Sequence, residues 1–533
     1  MIQNSFQSFK NNNTTIRIIL KQIGSLLMVL GIIIAVPAFV SLICFEWYSL
    51  LGFLLSGFFS FGLGYLLHYA FRNAADPFFN HAMIIAASGW LVLTFVGGLP
   101  LFVISHLTPR QVMQSFVPLG ADYPSSLLYF RNLLHCFFES MSGYTTTGLT
   151  MAVHEPSVGK GILFYRSFSQ WIGGAGFIVL SLSVLKMGSG KSVQLLYRSE
   201  STGMKLRPRV RETAKAIWQS YLYITLIIIV YLIIGTFLIL PDYPIADNIF
   251  DSVNHAMAGI SSGGFSTLDD SIAGYKSPLM DYLYLLPMVL GSFSLPLYYR
   301  IFYQGKFNEM WTDIQARSLI ICFIFGGLIL SLLLFDTGIV PNPFREGIFQ
   351  FISGMSTTGW QTSVISNWDT RSIVFIVFAA MFIGGSWGGT VGGIKIVRAR
   401  LIQVVLGAHI NRALLSENTV KIVKFDRKLM MPEEMNREFA NAASFSFMFL
   451  LILLLSTFVS TYFIPDNYSF ADALFEATAA QSTAGLTVGI TDPSMNPMVE
   501  LIYIFQMWVG RLEIIPALAL FRVLFFGANP GRI

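Results

Sequence analysis

The sequence predicts an all-α membrane protein of ten transmembrane helices with four re-entrant loops between them. Three observations predict this. Of 533 residues, 54% are hydrophobic and 12% charged, against roughly 25% charged in soluble domains. Ten apolar stretches approach or exceed the roughly 20 residues that cross a bilayer. A short segment rich in hydroxyls and glycine recurs four times between them.

The ten stretches are 16–43, 47–70, 81–105, 162–185, 217–240, 279–303, 318–340, 371–394, 441–464 and 498–524. The polar, Asn-rich first 15 residues precede an apolar run too long for a signal-peptide core and without a small-residue cleavage site, so it reads as a retained helix. An even number of spans puts both termini on one side, and loop charge chooses it. Segment 186–215 holds Lys186, Lys191, Arg198, Lys205, Arg207, Arg209, Arg211 and Lys215 against Glu200 and Glu212, and 395–438 carries nine Lys/Arg. Segment 241–281 has six Asp against Lys276 alone. By the positive-inside rule the basic loops and both termini are cytoplasmic.

Other chemistries find little support. The sequence GSGKS at 188–192 is half a phosphate loop: Leu185 stands where its first glycine belongs, and no strand precedes it. Cys44, Cys136 and Cys322 are isolated, and the seven histidines have no metal-ligand spacing. No nucleophile elbow, paired carboxylate or dinucleotide fingerprint points to an enzyme or an organic cofactor. No basic module stands apart from the spans to bind nucleic acid. The expected surroundings are membrane lipid.

The repeat lies in the outward segments after the third, fifth, seventh and ninth spans. Aligned on their last glycine, the copies read Thr145-Thr146-Thr147-Gly148, Ser261-Ser262-Gly263-Gly264, Ser356-Thr357-Thr358-Gly359 and Ser482-Thr483-Ala484-Gly485, each followed by a large apolar residue. A Phe stands ten residues before the glycine in three copies (Phe138, Phe349, Phe475), with Asn254 in the second. One such cluster is an ordinary turn; four in equivalent places are an internal repeat.

Ten to fifteen half-apolar residues suit a re-entrant helix, and the non-helical stretch after it is tolerable at membrane depth only where it lines a cavity. A helix entering from outside aims its partly negative C-terminus at the membrane centre, favouring a cation. Glycine frees the backbone to turn successive carbonyls toward one axis. Four such strands make a ring of oxygens that replaces a cation's hydration shell. The expected architecture is four pseudo-symmetric helix–pore loop–helix repeats around one central pore: 1–79 as N-terminus and two extra helices, then repeats at 80–216, 217–317, 318–439 and 440–533.

Three further segments complete a resemblance. They are RSFSQWIGGAGF at 166–177, GGSWGGTVGGIK at 384–395 and GRLEI at 510–514. With the four filter-like clusters, they make the chain resemble the Trk/Ktr/HKT superfamily, most closely its bacterial TrkH-type branch, which also carries two extra N-terminal helices. The resemblance implies potassium uptake across the bacterial inner membrane. It implies potassium binding at Thr146, Thr147, Gly148, Ser262, Gly263, Gly264, Thr357, Thr358, Gly359, Thr483, Ala484 and Gly485. Glycine at all four filter positions goes with potassium in this family, and serine at the first with sodium. Gly384, Gly385, Ser386, Gly388, Gly389, Thr390, Gly392 and Gly393 match the family's intramembrane gating loop, and Arg511 its pore arginine. Trp387 is bulkier than the small residues expected in that loop. A homodimer and a cytoplasmic nucleotide-binding regulatory subunit (TrkA-like) are implied as partners.

The residues support the gate independently. Six glycines in ten, at 384–393, exceed what close helix packing uses and should break a helix. A charge at the centre of a span costs several kcal/mol and so faces a cavity or a partner. Arg511 is expected to face the pore. Glu513, two residues on, points elsewhere and is expected to serve another helix. Segment 107–130 is an extension without an assigned role. The competing readings are a cation-coupled carrier of another solute, against which four repeats with the same outward loop argue, and a sodium-permeable relative.

Overall fold

A computed structural model describes residues 2–77, 79–176, 210–413, 423–426 and 428–526. The GSGKS segment, most of the first basic loop and the last part of the expected span 162–185 lie outside the described residues. Apolar runs become helices because a lipid-facing backbone must satisfy its hydrogen bonds internally. Among the described residues six helices are long and apolar enough to span: Thr14–Ile43, Trp47–Ala70, His81–Leu107, Glu212–Ile239, Ile314–Thr337 and Pro432–Thr461. Apart from helices, the described chain has one small antiparallel hairpin, Val423–Phe425 with Lys428–Met430.

The remaining four expected spans, the second helix of every repeat, are not continuous in the described chain. Lys160–Gly174 ends as a helix at Ala175, short of the expected boundary. Pro278–Gly291 and Leu295–Gln304 meet at a bend of 90°. Thr370–Ile376 runs through a π turn, Val377–Met381, and helix resumes only at Ile396. Pro497–Arg511 and Ile515–Phe526 are separated by a left-handed pair, Glu513 and Ile514. Among the described residues six helices, or seven if the bent pair counts as one, therefore meet the length and hydropathy of an unbroken span. Apolarity continues across each break, but the helix does not. A helix broken at membrane depth is tolerated where protein or a water-filled cavity surrounds it.

The first two helices pack backbone to backbone. A Cβ on Gly24 would lie 2.7 Å from the Gly64 carbonyl oxygen, and one on Gly31 would lie 2.7 Å from that of Gly57. Such small-residue contacts let helices approach closely without a hydrophobic driving force. This pair is tied to the first repeat by Glu46, whose carboxylate accepts the backbone N–H groups of Lys160 (2.6 Å) and Gly161 (3.0 Å). A carboxylate there complements the positive N-terminal end of Lys160–Gly174.

Segment 107–130 bridges repeats 1 and 2. Ser125 Oγ donates to the Ser157 carbonyl at 2.5 Å. Tyr123 donates to Asp269 Oδ2 at 3.0 Å and stacks on His154 with ring centroids 3.6 Å apart.

Candidate functional site

Four short helices enter the bundle without crossing it: Leu133–Tyr144, Ile245–Ile260, Pro343–Met355 and Phe470–Gln481, of 12, 16, 13 and 12 residues. Their starts are locally encoded. Asn132 caps the first by accepting Leu134 N–H, Pro343 opens the third, and Ser469 with Asp472 forms a capping box on the fourth.

All four end in the same turn. The first hydroxyl of each cluster continues the helix, and the second turns left-handed: Thr146 (φ 57°), Ser262 (54°), Thr357 (53°) and Thr483 (50°). The next backbone N–H reaches back five residues. Thr147 donates to Ser142, Gly263 to Ala258, Thr358 to Ser353 and Ala484 to Ala479, at 2.8–3.0 Å. This is the 6→1 closure that ends helices with a left-handed residue. The glycine then turns left-handed again: Gly148 (98°), Gly264 (79°), Gly359 (86°) and Gly485 (70°). Two such residues, one with a side chain and one without, repeat in the same positions in all four copies.

The copies close on one another. A Cβ on Gly148 would lie 2.4 Å from the Gly263 carbonyl oxygen, one on Gly264 1.8 Å from that of Thr358, one on Gly359 2.5 Å from that of Ala484, and one on Gly485 2.1 Å from that of Thr147. Each glycine thus abuts the carbonyl before the next repeat's glycine, and the fourth repeat returns to the first. The twelve residues expected at the filter are brought together as one closed ring. Gln170, unassigned by the sequence although it lies within the quoted 166–177 segment, braces the second copy. Its Nε2 donates to the Gly263 carbonyl at 2.5 Å and its Oε1 accepts Phe265 N–H at 3.1 Å. A carbonyl oxygen has a second lone pair, which that bond leaves available.

Between Met381 and Ile396 the chain is irregular, with Gly384, Gly388 and Gly393 left-handed. It lies against the helix-side mouth of the ring. Thr390 Oγ1 is 2.7 Å from Ser262 Oγ, Thr146 Oγ1 donates to the Thr390 carbonyl at 3.4 Å, and Gly392 N–H donates to Thr357 Oγ1 at 3.1 Å. A Cβ on Gly392 would lie 1.9 Å from the Ser482 carbonyl oxygen and 2.5 Å from Thr483 Oγ1. One loop therefore touches all four repeats at the second hydroxyl or its immediate neighbour. Residues 386–389 sit elsewhere: Ser386 N–H donates to the Ser292 carbonyl and the Gly388 carbonyl accepts Leu295 N–H. They dock on the 90° break of the second repeat, and Trp387, half-buried, donates its N–H to Gln315. The part under the ring is Thr390 to Gly392.

Arg511 ends its helix against this loop. Nη1 donates to the Thr390 carbonyl at 2.6 Å, and Nη2 donates to the carbonyls of Gly173 (2.5 Å) and Gly174 (2.9 Å). Those carbonyls close the helix Lys160–Gly174, where a cation is favoured. Glu513 pairs instead with Arg398 at 2.5 Å, on the helix that follows the loop. Lys395 is buried and donates to the Val391 carbonyl. Among the described residues no group of three or more His, Cys, Asp or Glu could hold a metal ion.

The chain resembles known transport proteins along nearly its whole length. The TrkH cation transport protein family model matches residues 49–527. An uncharacterised cation transporter of Methanocaldococcus jannaschii is 31% identical over 95% of this chain and 96% of the relative. The Trk system potassium uptake protein TrkH of Halomonas elongata is 28% identical over 96% and 99% of the two chains. The crystal structure of the potassium transporter TrkH from Vibrio parahaemolyticus superposes with a TM-score of 0.75 at 25% identity, covering 96% of this chain and 99% of that one. With a closed fourfold ring, a loop under it and a match over most of its residues, the chain belongs to the TrkH family of cation transport proteins.

Proposed function

We propose that this protein takes up potassium across the cytoplasmic membrane through the fourfold ring, with the loop under it as gate. The observation that carries the reading is the cyclic contact of Gly148, Gly264, Gly359 and Gly485 with the carbonyls of Gly263, Thr358, Ala484 and Thr147. Backbone oxygens from four equivalent turns supply the ligands that a dehydrated potassium ion needs. The hydroxyls of Thr146, Ser262, Thr357 and Thr483 stand one step further toward the gating loop. Thr483 Oγ1 is buried without a hydrogen-bond partner, which suits a cation ligand. Relatives named as potassium uptake proteins support potassium as the cargo.

In this reading the loop 384–393 obstructs the pathway from the inner side through Thr390 to Gly392, and Arg511 adds a positive charge beside it. Both termini and the loop around Lys306 face the cytoplasm, and Asp269 faces outward. The active form is a homodimer with a cytoplasmic nucleotide-binding regulatory subunit, as the family resemblance implies.

A bacterium lacking its own potassium uptake, expressing this chain, should grow at low potassium. Failure to grow, with the protein present in the membrane alongside its regulatory subunit, rejects the assignment, and rescue by sodium alone favours a sodium-permeable relative. Orientation is tested separately. A cysteine at Asp269 should react with an impermeant thiol reagent applied outside intact cells, and one at Lys306 only after lysis. The opposite pattern inverts the topology.

A further inference from the structure

We infer that four buried side chains, Glu139, His255, Gln350 and Glu476, form a second ring behind the filter and set its selectivity by holding its outer half. The inference rests on the filter reading above. Each stands nine residues before its repeat's glycine, and all four are buried. Each reaches across the filter turn to the chain two or three residues beyond that glycine.

The geometry repeats with graded strength. Glu139 accepts Thr150 Oγ1 at 3.0 Å and Met151 N–H at 2.8 Å. Glu476 accepts the equivalent pair, Thr487 Oγ1 at 2.8 Å and Val488 N–H at 2.9 Å, and also Thr491 through its N–H (3.0 Å) and Oγ1 (2.5 Å). In the second repeat His255 Nε2 lies 3.1 Å from Ser266 Oγ and 3.4 Å from Thr267 N. Tyr284 steadies its other nitrogen at 2.9 Å. In the third, Gln350 Nε2 donates to Thr362 Oγ1 at 3.4 Å, and its Oε1 has no hydrogen-bond partner.

A second link continues the brace in three repeats. The hydroxyls of Thr150, Ser266 and Thr487 accept the N–H groups of Ala152, Leu268 and Gly489 at 2.8–3.1 Å. The third repeat has Gln361 at this position, and its Nε2 donates instead to the Thr487 carbonyl of the fourth repeat at 3.0 Å.

These side chains are too far back to touch a permeating ion in place of the carbonyls. Their action is on carbonyl position. Charge-assisted bonds to a buried carboxylate are short and strong, so the first and fourth strands are held most rigidly and the third least. A ring that cannot narrow holds its oxygens at the spacing a potassium ion needs, and a slack one closes onto the smaller sodium ion.

Glu476 is the cleaner test, because Glu139 also pairs with the buried Arg166 at 2.7 Å and its loss would strand that charge. The assay uses the full-length chain with its regulatory subunit in proteoliposomes, and reads potassium flux and the potassium-to-sodium permeability ratio. Glu476→Ala should lower that ratio about tenfold, the worth of one charge-assisted hydrogen bond, and Gln350→Ala should lower it less. Thr487→Val, nearly isosteric, removes the hydroxyl that donates to the Glu476 carboxylate and accepts Gly489 N–H, and should lower it at least about threefold. Thr457→Val, whose hydroxyl bonds only within its own helix, should leave it unchanged. Potassium-selective wild-type flux with an unchanged ratio in both Glu476→Ala and Thr487→Val overturns the brace while leaving the filter intact. Should Glu476→Ala fail to fold, Thr487→Val decides alone. Lower flux at a constant ratio also overturns it, since that marks structural support only. Wild-type protein without potassium selectivity overturns the filter reading itself.

Discussion

Replacing Gly148 by serine should leave a conducting protein that discriminates poorly between potassium and sodium. The residue is left-handed at φ 98°, where a side chain costs roughly 1–2 kcal/mol. Its Cβ would fall 2.4 Å from the Gly263 carbonyl oxygen, inside the 3.0 Å that real Cβ atoms essentially never show. Something must move, and what it meets is a filter carbonyl that Gln170 already holds from behind. That oxygen shifts, and the ring loses its shape on one side. Because the four glycines face the same neighbour at different distances, the damage should be graded. Gly148→Ser and Gly359→Ser, at 2.4 and 2.5 Å, should conduct with a potassium-to-sodium ratio reduced at least about tenfold, the equivalent of about 1.4 kcal/mol. Gly264→Ser and Gly485→Ser, at 1.8 and 2.1 Å, should lose most conduction. Flux measured for rubidium and sodium in vesicles checks the order. Unchanged permeability ratios in all four variants would count against the filter assignment.

How far these features could be read from residues alone depended on whether their chemistry repeats in kind. The filter clusters do, and their shared order of two hydroxyls before the glycine marks the two left-handed positions of the turn. The glycines of 384–393 could be read for the same reason: no helix accommodates six in ten residues at low cost. That Glu513 serves another helix followed from its two-residue offset from Arg511, and its partner there is Arg398.

The broken helices were hidden because hydropathy continues across them. At 291–294 the chain reads Gly-Ser-Phe-Ser, two polar residues inside an apolar run, and a window of some 20 residues averages them away. The signal was still present. Ser294 before Leu295 and Pro296 is a helix start, and Pro516 beside Ile515 marks the other break. The brace behind the filter was harder. Its members are Glu, His, Gln and Glu, alike only in being polar next to Phe138, Asn254, Phe349 and Phe475. The partners they share in kind lie eleven or twelve residues on, beyond a turn whose path only the fold defines.

Arg511→Ala should raise resting potassium flux, and the structure separates two reasons. The first is charge. An arginine about 6 Å from a potassium ion repels it by roughly 3 kcal/mol at an effective dielectric near 20, which corresponds to about a hundredfold in rate. The second is a latch. The guanidinium joins the Thr390 carbonyl to the carbonyls of Gly173 and Gly174, so it fastens the loop under the ring to the end of the first repeat's broken helix. Alanine removes both. Arg511→Lys keeps the charge, but a single ammonium cannot reproduce a planar fork that bridges two strands. Flux in the lysine variant should therefore lie between wild type and alanine, and its distance from each apportions the barrier. The loop is tested where it is anchored. Deleting 386–389 removes its docking onto the second repeat's bend and should draw Thr390 and Gly392 out of the mouth, raising flux without changing selectivity, since no filter residue is altered. Lower flux in both Arg511→Ala and the deletion, with normal amounts of folded protein in the membrane, would recast these residues as supports of the bundle rather than its gate.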